Sequence, residues 1–312
     1  MDKMIAVIGA GLIGRAWAMV FARAGWRVRL TDNSAEQLAR AHAFIAESLD
    51  EQRQYGLVAD PRAMLGRIEI EASLESAIAD ADWVQENLPE RAELKREIFA
   101  LLDRYARSDA VLASSTSAIP ASRFTEGLAG RWRCLVAHPV NPPHLVPIVE
   151  LCGAPWTAPT TIERAQRLYA SVGQVPILVR RELDGFVLNR LQGALLSEAM
   201  RLVGEGYVSA DDLDKTVRDG LGLRWSFLGP MATIELNAPG GVADYCARYG
   251  DFYRRLAADP AGPGVWDADN AVRVGDALGP ARSPDAREAR TRWRDRRLMA
   301  LIAHKRGQQD FE

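Results

Sequence analysis

The residue best placed to do chemistry in this chain is His138. It ends a short apolar run and precedes Pro139-Val140-Asn141-Pro142-Pro143, a stretch that stops any helix and fixes a turn. An imidazole can take or return a proton near neutral pH. Glu150 stands 12 residues on, after a further extended run at 145–149. A hairpin-like return would bring its carboxylate beside the imidazole, fixing the tautomer and stabilising the imidazolium. Ser114, Ser115, Thr116 and Ser117 close the preceding strand and put hydroxyls on the same sheet edge, and Asn189 opens a later helical segment from which it could face back. A histidine, a carboxylate and hydroxyl or amide donors are the parts needed to move a proton while holding an oxygen in place.

A second constellation is glycine-rich. Gly9-Ala10-Gly11-Leu12-Ile13-Gly14 follows one apolar strand directly and opens an amphipathic helix. In that context the three glycines allow a tight turn, a close approach of backbone to a pyrophosphate, and close helix–strand packing. The first helical residues, Leu12 and Ile13, offer N–H groups and the positive end of the helix dipole to the phosphates. Asp32 ends the second strand, 18 residues after Gly14, at the spacing of an acid that bonds a ribose hydroxyl. It would repel a 2′-phosphate, and Asn33 and Ser34, which follow, bring no cation to offset this. NAD is favoured over NADP, while FAD is compatible with the fingerprint alone.

The elements that must hold these groups follow from periodicity. Short β-branched runs at 5–8, 28–31, 68–70, 83–85, 111–113, 135–137 and 175–179 predict strands, with helices between several of them. Ile13, Ala16, Trp17, Val20, Phe21 and Ala24 fall on one helix face, and Gly25 stands where a C-terminal cap belongs. Alternation of this kind implies βαβ units in a parallel sheet buried on both faces, with ligands beyond the carboxyl ends of the strands. After about residue 181 the pattern is helical. Asp184 is placed to cap a helix running to about residue 205, Gly206 to end it, and Ser209 with Asp212 to start the next. The expected fold is α/β: an N-terminal Rossmann-like doubly wound sheet over 1–182 plus a C-terminal all-helical domain over 183–312, with the reacting groups in the cleft between them.

Composition removes other classes. The 312 residues carry a formal net charge of −2, which gives no global attraction to nucleic acid or an acidic membrane. No run of 18 apolar residues predicts a membrane span. Cys134, Cys152 and Cys246 are far apart and form no C-x-x-C, so neither a disulfide framework nor a metal site is expected, and a cytoplasmic location is. The segment 281–306 holds nine Arg or Lys against three Asp or Glu. It reads as the solvated face of a terminal helix with Leu298, Leu301 and Ile302 packed inward, the alternative being a basic patch for a phosphorylated partner.

Taken together, these segments resemble the 3-hydroxyacyl-CoA dehydrogenase superfamily across nearly the whole chain, and within it the lambda-crystallin branch, which includes L-gulonate 3-dehydrogenase. The resemblance is carried by VIGAGLIGRAWAMVFARAGWRVRLTD, PERAELKREIF, ASSTSAIP, VAHPVNPPHLVPIVEL, DGFVLNRLQ and DGLGLRWSFLGP. It implies that His138 is the catalytic histidine, Glu150 its paired carboxylate, Ser117 a substrate-contacting serine and Asn189 the asparagine that closes the site. Glu90 and Lys95 match an E-x-x-x-x-K pair of cofactor contacts, and the fingerprint with Asp32 matches an NAD site.

The implied activity is NAD-dependent oxidation of the 3-hydroxyl of a small 3-hydroxy acid, with His138 as general base. Arg224 follows a Gly-rich turn and could clamp a free carboxylate bidentately. A thioester substrate has no such charge, so an acyl-CoA would make that arginine redundant. Carnitine is a further 3-hydroxy acid, for which Trp225, Phe227 and Tyr245 could form an aromatic cage. The branch also admits an NAD-binding structural or sensor protein. A homodimer through the helical domain is implied by the family.

Overall fold

The computed structural model describes residues 3–309. The chain divides into two compact units: residues up to Asn189 together with those from Asp285 onwards, and Arg190–Pro284.

The first unit is built on eight strands: Met4–Ile8, Arg27–Thr31, Ile68–Ile70, Trp83–Glu86, Val111–Ser114, Cys134–Pro139, Ile148–Gly153 and Val175–Leu178, here β1 to β8. They form one sheet in the order β3-β2-β1-β4-β5-β6-β7-β8. All pairs are parallel except β6 with β7. The helices Leu12–Arg23 (α1) and Ala35–Gln54 (α2) follow β1 and β2.

Strand alternation sorts the core into two layers. Ile5 and Val7 of β1 join a cluster with Trp17, Phe21, Leu38, Ile45 and Tyr169. Ala6 and Ile8 join the opposite one with Ile78, Phe99 and Phe124. The strand order reverses between β1 and β4, and that switch point is where a doubly wound sheet opens a crevice for a ligand. α1 ends as its sequence predicts: Arg23 is its last residue and Gly25 adopts φ +86°, a conformation a side chain would resist.

Two expectations about strand and cap are corrected in detail. The extended run at 145–149 forms a strand only from Ile148, running to Gly153, because Leu145 turns inward to pack with Leu57 and Met299. The helix expected after Asp184 runs over Phe186–Gly204, but its first-turn N–H groups are taken by Glu150, as described below.

The second unit is entirely helical. Ser209 caps its helix as read, with the Asp212 N–H donating to its hydroxyl at 3.1 Å. The domain assignment of 183–312 differs from the observed division at both ends. Phe186 to Asn189 stay with the sheet, held by Glu150 and Ser117. The terminal helix Pro284–Arg306 returns to the first unit, where Met299 is buried against Leu57 and Leu145 with Leu298 and Ile302 beside it. Leu301, expected inward, is exposed. A basic helix carries its few apolar residues on whatever surface they fit, and nothing in its own pattern names that surface.

Candidate active site

The antiparallel pairing of β6 and β7 sets His138 directly opposite Glu150. Side chains directly across a ladder lie on the same face within reach of each other. Here His138 Nδ1 lies 2.8 Å from Glu150 Oε2. The histidine is 5% exposed and the glutamate fully buried. Burial is the strongest influence on this carboxyl and opposes its ionisation. The bond to His138 and the N–H groups of Leu188 and Val187 outweigh it and hold Glu150 below the ordinary carboxylate range. An ionised carboxylate can only accept, so Nδ1 carries the hydrogen and Nε2 is left with its lone pair.

The other oxygen of Glu150 accepts from Val187 N at 2.9 Å and Leu188 N at 3.0 Å. These belong to the first turn of the helix Phe186–Gly204, whose N–H groups have no intrahelical partner. One carboxylate thus fixes the imidazole and anchors that helix. Phe186 lies between the two tasks. It is fully buried, its ring centroid is 5.6 Å from that of His138, and it holds φ +49° directly after Gly185 at φ +74°. A left-handed phenylalanine costs on the order of 1–3 kcal/mol. Asn189, one turn along, donates from Nδ2 to the Ser117 carbonyl at 2.9 Å. The structure therefore brings His138, Glu150, Ser117 and Asn189 into one connected framework within the first unit.

Ser117 is held from its other side by Glu90. That carboxylate accepts from the N–H groups of Ser117, Ala118 and Ile119, each at 3.2 Å, and from the Thr116 hydroxyl. Burial again weighs most and opposes ionisation, but these donors keep Glu90 below its usual range. Lys95 is fully buried. Its ammonium is 3.0 Å from both oxygens of Glu86 and 3.3 Å from the Leu88 carbonyl. Glu86 also takes the Ser114 hydroxyl and the Leu88 N–H. The resemblance makes Lys95 a cofactor contact; in the structure its charge is spent on the end of β4. Sequence reasoning does not reach Glu86 or Phe186. Only Gly185 signals the unusual turn before Phe186.

The glycine turn meets the same strand ends. Gly9 has φ +90°, and its N–H donates to Thr31 O at 2.8 Å. A Cβ on Gly14 would stand 1.8 Å from Gly9 O, whereas one on Gly11 would meet nothing within 4 Å. Gly14 is thus required by packing, and Gly11 leaves open the space where a phosphate would approach. Gly11 caps α1 without a side-chain bond, and no acid stands in the first turn, which leaves the N–H groups of Leu12 and Ile13 to a ligand. Asp32 accepts from Ala10 N at 2.8 Å and Ser34 N at 3.0 Å, with lone pairs to spare for a ribose.

Two substitutions separate these roles. Gly14→Ala is expected to cost about 1–3 kcal/mol of stability and to weaken NADH binding with it. Gly11→Ala is expected to leave the melting temperature unchanged and to weaken only NADH. Thermal unfolding and NADH fluorescence titration check both, and a Gly14→Ala protein as stable as the parent contradicts the packing argument.

Arg224 lies in the second unit on the short helix Gly222–Trp225, exposed and without an ion pair among the described residues. It lines an open cavity of that unit with Leu221, Leu223 and Phe227. Trp225 and Phe227 are exposed, and the Tyr245 hydroxyl is bonded to that of Tyr253 at 2.8 Å.

Comparison with known proteins settles the family. Residues 4–183 match the NAD-binding domain of 3-hydroxyacyl-CoA dehydrogenase and residues 185–270 match its C-terminal domain. The chain belongs to the 3-hydroxyacyl-CoA dehydrogenase family. It is 44% identical over 303 residues to a lambda-crystallin homolog of Bos taurus, covering 95% of this chain and 94% of that one. It is 36% identical to an L-carnitine dehydrogenase of Streptomyces griseus, covering 85% and 80%. The solved structure of an NAD-dependent 5-formyl-3-hydroxy-2-methylpyridine 4-carboxylic acid 5-dehydrogenase superposes with a TM-score of 0.86 at 29% identity, covering 99% and 100%. As a family member the chain is an NAD-dependent dehydrogenase acting on a CH–OH group.

Proposed function

We propose that this dehydrogenase oxidises the 3-hydroxyl of a small, free 3-hydroxy acid of the L-gulonate type, with His138 as the general base. The observation that carries the mechanism is the buried His138–Glu150 pair, which commits Nδ1–H to the carboxylate and leaves Nε2 as the acceptor for the alcohol proton. NAD, when bound on the Gly9–Gly14 turn, supplies the acceptor for the hydride. The chain's own groups do the rest. His138 takes the hydroxyl proton as the carbonyl forms and returns it in the reverse direction. Glu150 stabilises the imidazolium without taking the proton. Ser117 and Asn189, joined through the Ser117 carbonyl, hold the reacting oxygen or a neighbouring carbonyl. Glu90, Lys95, Asp32 and the turn from Gly9 to Gly14 make up the cofactor side.

A free acid rather than a thioester is supported by the likeness to lambda-crystallin homologs and by Arg224, a guanidinium with no ion pair among the described residues and suited to a carboxylate. On this reading Arg224→Ala raises KM for L-gulonate by about 10²-fold, in keeping with the loss of a bidentate charged contact. It leaves the KM for 3-hydroxybutyryl-CoA where it was. Steady-state NADH formation on both substrates decides. An unchanged KM for the free acid removes the clamp, and a parent enzyme that prefers the CoA ester overturns the substrate class. Carnitine belongs in the same assay because the Tyr245–Tyr253 pair and Tyr249 form an exposed aromatic group, and the Streptomyces griseus relative is an L-carnitine dehydrogenase.

The helical unit exposes Leu191, Leu223, Phe227, Met231 and Leu236 by more than three fifths each. Apolar exposure of that extent supports a homodimer formed through this unit. The buried thiols of Cys134 and Cys152, pushed up to about 12 by burial, and the unpaired Cys246 suit a reducing cytoplasm. Among the described residues no helix is long and apolar enough to cross a membrane.

A further inference from the structure

One hydroxyl beside the switch point of the sheet is bonded to three elements at once, and the mechanism does not use it. Ser115 directly follows β5 and is half-buried. Its Oγ accepts from the Trp17 indole Nε1 at 3.0 Å and from Gln85 Nε2 at 2.8 Å, and it donates to Asn87 Oδ1 at 2.7 Å. A hydroxyl has one hydrogen and two lone pairs, so the whole capacity of Ser115 is spent within the protein.

The direction of each bond follows from its neighbours. Asn87 Nδ2 faces two carbonyls, Gln85 O at 2.9 Å and Ile8 O at 3.1 Å, and donates to both. Its Oδ1 must then accept, so the Ser115 hydrogen points at it. The lone pairs of Ser115 are left to the indole and to Gln85, whose own Oε1 takes the Tyr169 hydroxyl. Trp17, Gln85 and Tyr169 are fully buried. A donor that loses its partner in such surroundings is costly, so the members hold one another in a single arrangement.

The arrangement ends on the glycine turn. The peptide joining Ile8 to Gly9 is held at both ends. Its carbonyl accepts from Asn87 Nδ2 and from the Asn87 backbone N–H at 2.8 Å, and its N–H donates to Thr31. Asn87 also lies against the turn: a Cβ on Gly9 would stand 3.0 Å from the Asn87 carbonyl oxygen, and one on Gly14 would stand 3.5 Å from its Nδ2. Trp17 is on the second turn of α1. Its indole bond resists sliding or rotation of the helix whose first N–H groups are left to a ligand.

We propose that Ser115 and Asn87 are positioning residues for NAD. Acting through the Ile8 carbonyl and the Trp17 indole, they hold the glycine turn and the start of α1 in the geometry that receives the pyrophosphate. The proposal rests on the reading of that turn as the cofactor cradle, which Gly11→Ala tests separately.

The test is NADH fluorescence titration of Ser115→Ala and Asn87→Asp, each well below its own melting temperature. Ser115→Ala unties Trp17, Gln85 and Asn87 together and is expected to weaken NADH by about ten-fold. Asn87→Asp keeps the shape, but its ionised carboxylate brings no hydrogen to the Ile8 and Gln85 carbonyls, and its protonated form returns one. Two facing carbonyls disfavour the charged form, so the deficit against the parent should be about ten-fold or more near pH 8.5 and narrow several-fold near pH 5.5. A loss of stability alone would lower the melting temperature and leave that ratio constant. Folded variants that both bind NADH within about two-fold of the parent overturn the proposal, as does an Asn87→Asp deficit that does not change with pH. If Gly11→Ala weakens NADH and these two variants do not, this proposal alone falls; if Gly11→Ala also binds as the parent does, the turn is not the cradle and both readings fall.

Discussion

His138→Ala should lower kcat by about 10²–10⁴-fold, the range that a positioned general base contributes, while NADH binding stays within two-fold or so of the parent. The size of the effect follows from the committed tautomer. With Nδ1–H fixed on Glu150, Nε2 is the lone pair that His138 can turn to an alcohol proton, and alanine offers nothing in its place. Binding should persist because the proposed cofactor cradle is built from other elements: the Gly9–Gly14 turn, the start of α1 and Asp32. Steady-state kinetics with a fluorescence titration of NADH on the same preparation checks both halves. An alanine protein of near-parental kcat would remove His138 from the chemistry, and one that also loses NADH would make its role structural.

The second large effect is expected at Glu150. In Glu150→Gln an amide N–H₂ can face Nδ1, which then becomes an acceptor and moves the hydrogen to Nε2, where it blocks the base. The equivalent Asp-to-Asn exchange in serine proteases costs about 10⁴ in kcat through the wrong tautomer, and a loss of about 10³–10⁴-fold is expected here on the same logic. The amide oxygen can still accept from Val187 and Leu188, so the helix start survives and the protein folds.

The pH dependence of stability supplies an independent readout. The native pKa of Glu150 lies below its unfolded value, so its contribution to stability is complete above the unfolded value and is lost as pH falls through the native one. Thermal unfolding between about pH 3 and 7 should therefore show a shallower acid loss in Glu150→Gln than in the parent. Parental kcat in this variant would separate Glu150 from the chemistry, and an unchanged acid slope would remove its ionised state from the energetics.

Much of this site is legible in the sequence because it depends on local rules. A strand, a G-x-G-x-x-G turn and an amphipathic helix form one contiguous unit, and Gly9, Gly14 and Asp32 take the places that unit demands. The pairing of His138 with Glu150 can be anticipated because a strand followed by a short return puts residues of equal distance from the turn face to face, and the register bears this out. What escapes the sequence is non-local. That Glu150 also caps the helix at Val187 depends on where the chain travels over the intervening residues, and the plausible local cap, Asp184, conceals it. Phe186 in a left-handed conformation contradicts its own backbone preference, and only the packing around His138 explains it. Lys95 enters the sequence reading only through the resemblance, as a cofactor contact; its burial against Glu86 depends on how the helix Ala92–Tyr105 lies on the fold. The return of the terminal helix rests on three or four apolar residues within a run of arginines, too few to name their partner.

The measurement that bears most directly on the central claim follows the hydrogen itself. L-Gulonate carrying deuterium at C3 is incubated with NAD and the parent enzyme, and the reduced cofactor is analysed by mass spectrometry. The account predicts reduced cofactor one mass unit heavier than that from unlabelled acid, a 3-keto product, and the loss of both in His138→Ala. Reduced cofactor without the label, or none from any free 3-hydroxy acid while NAD is bound, would contradict it.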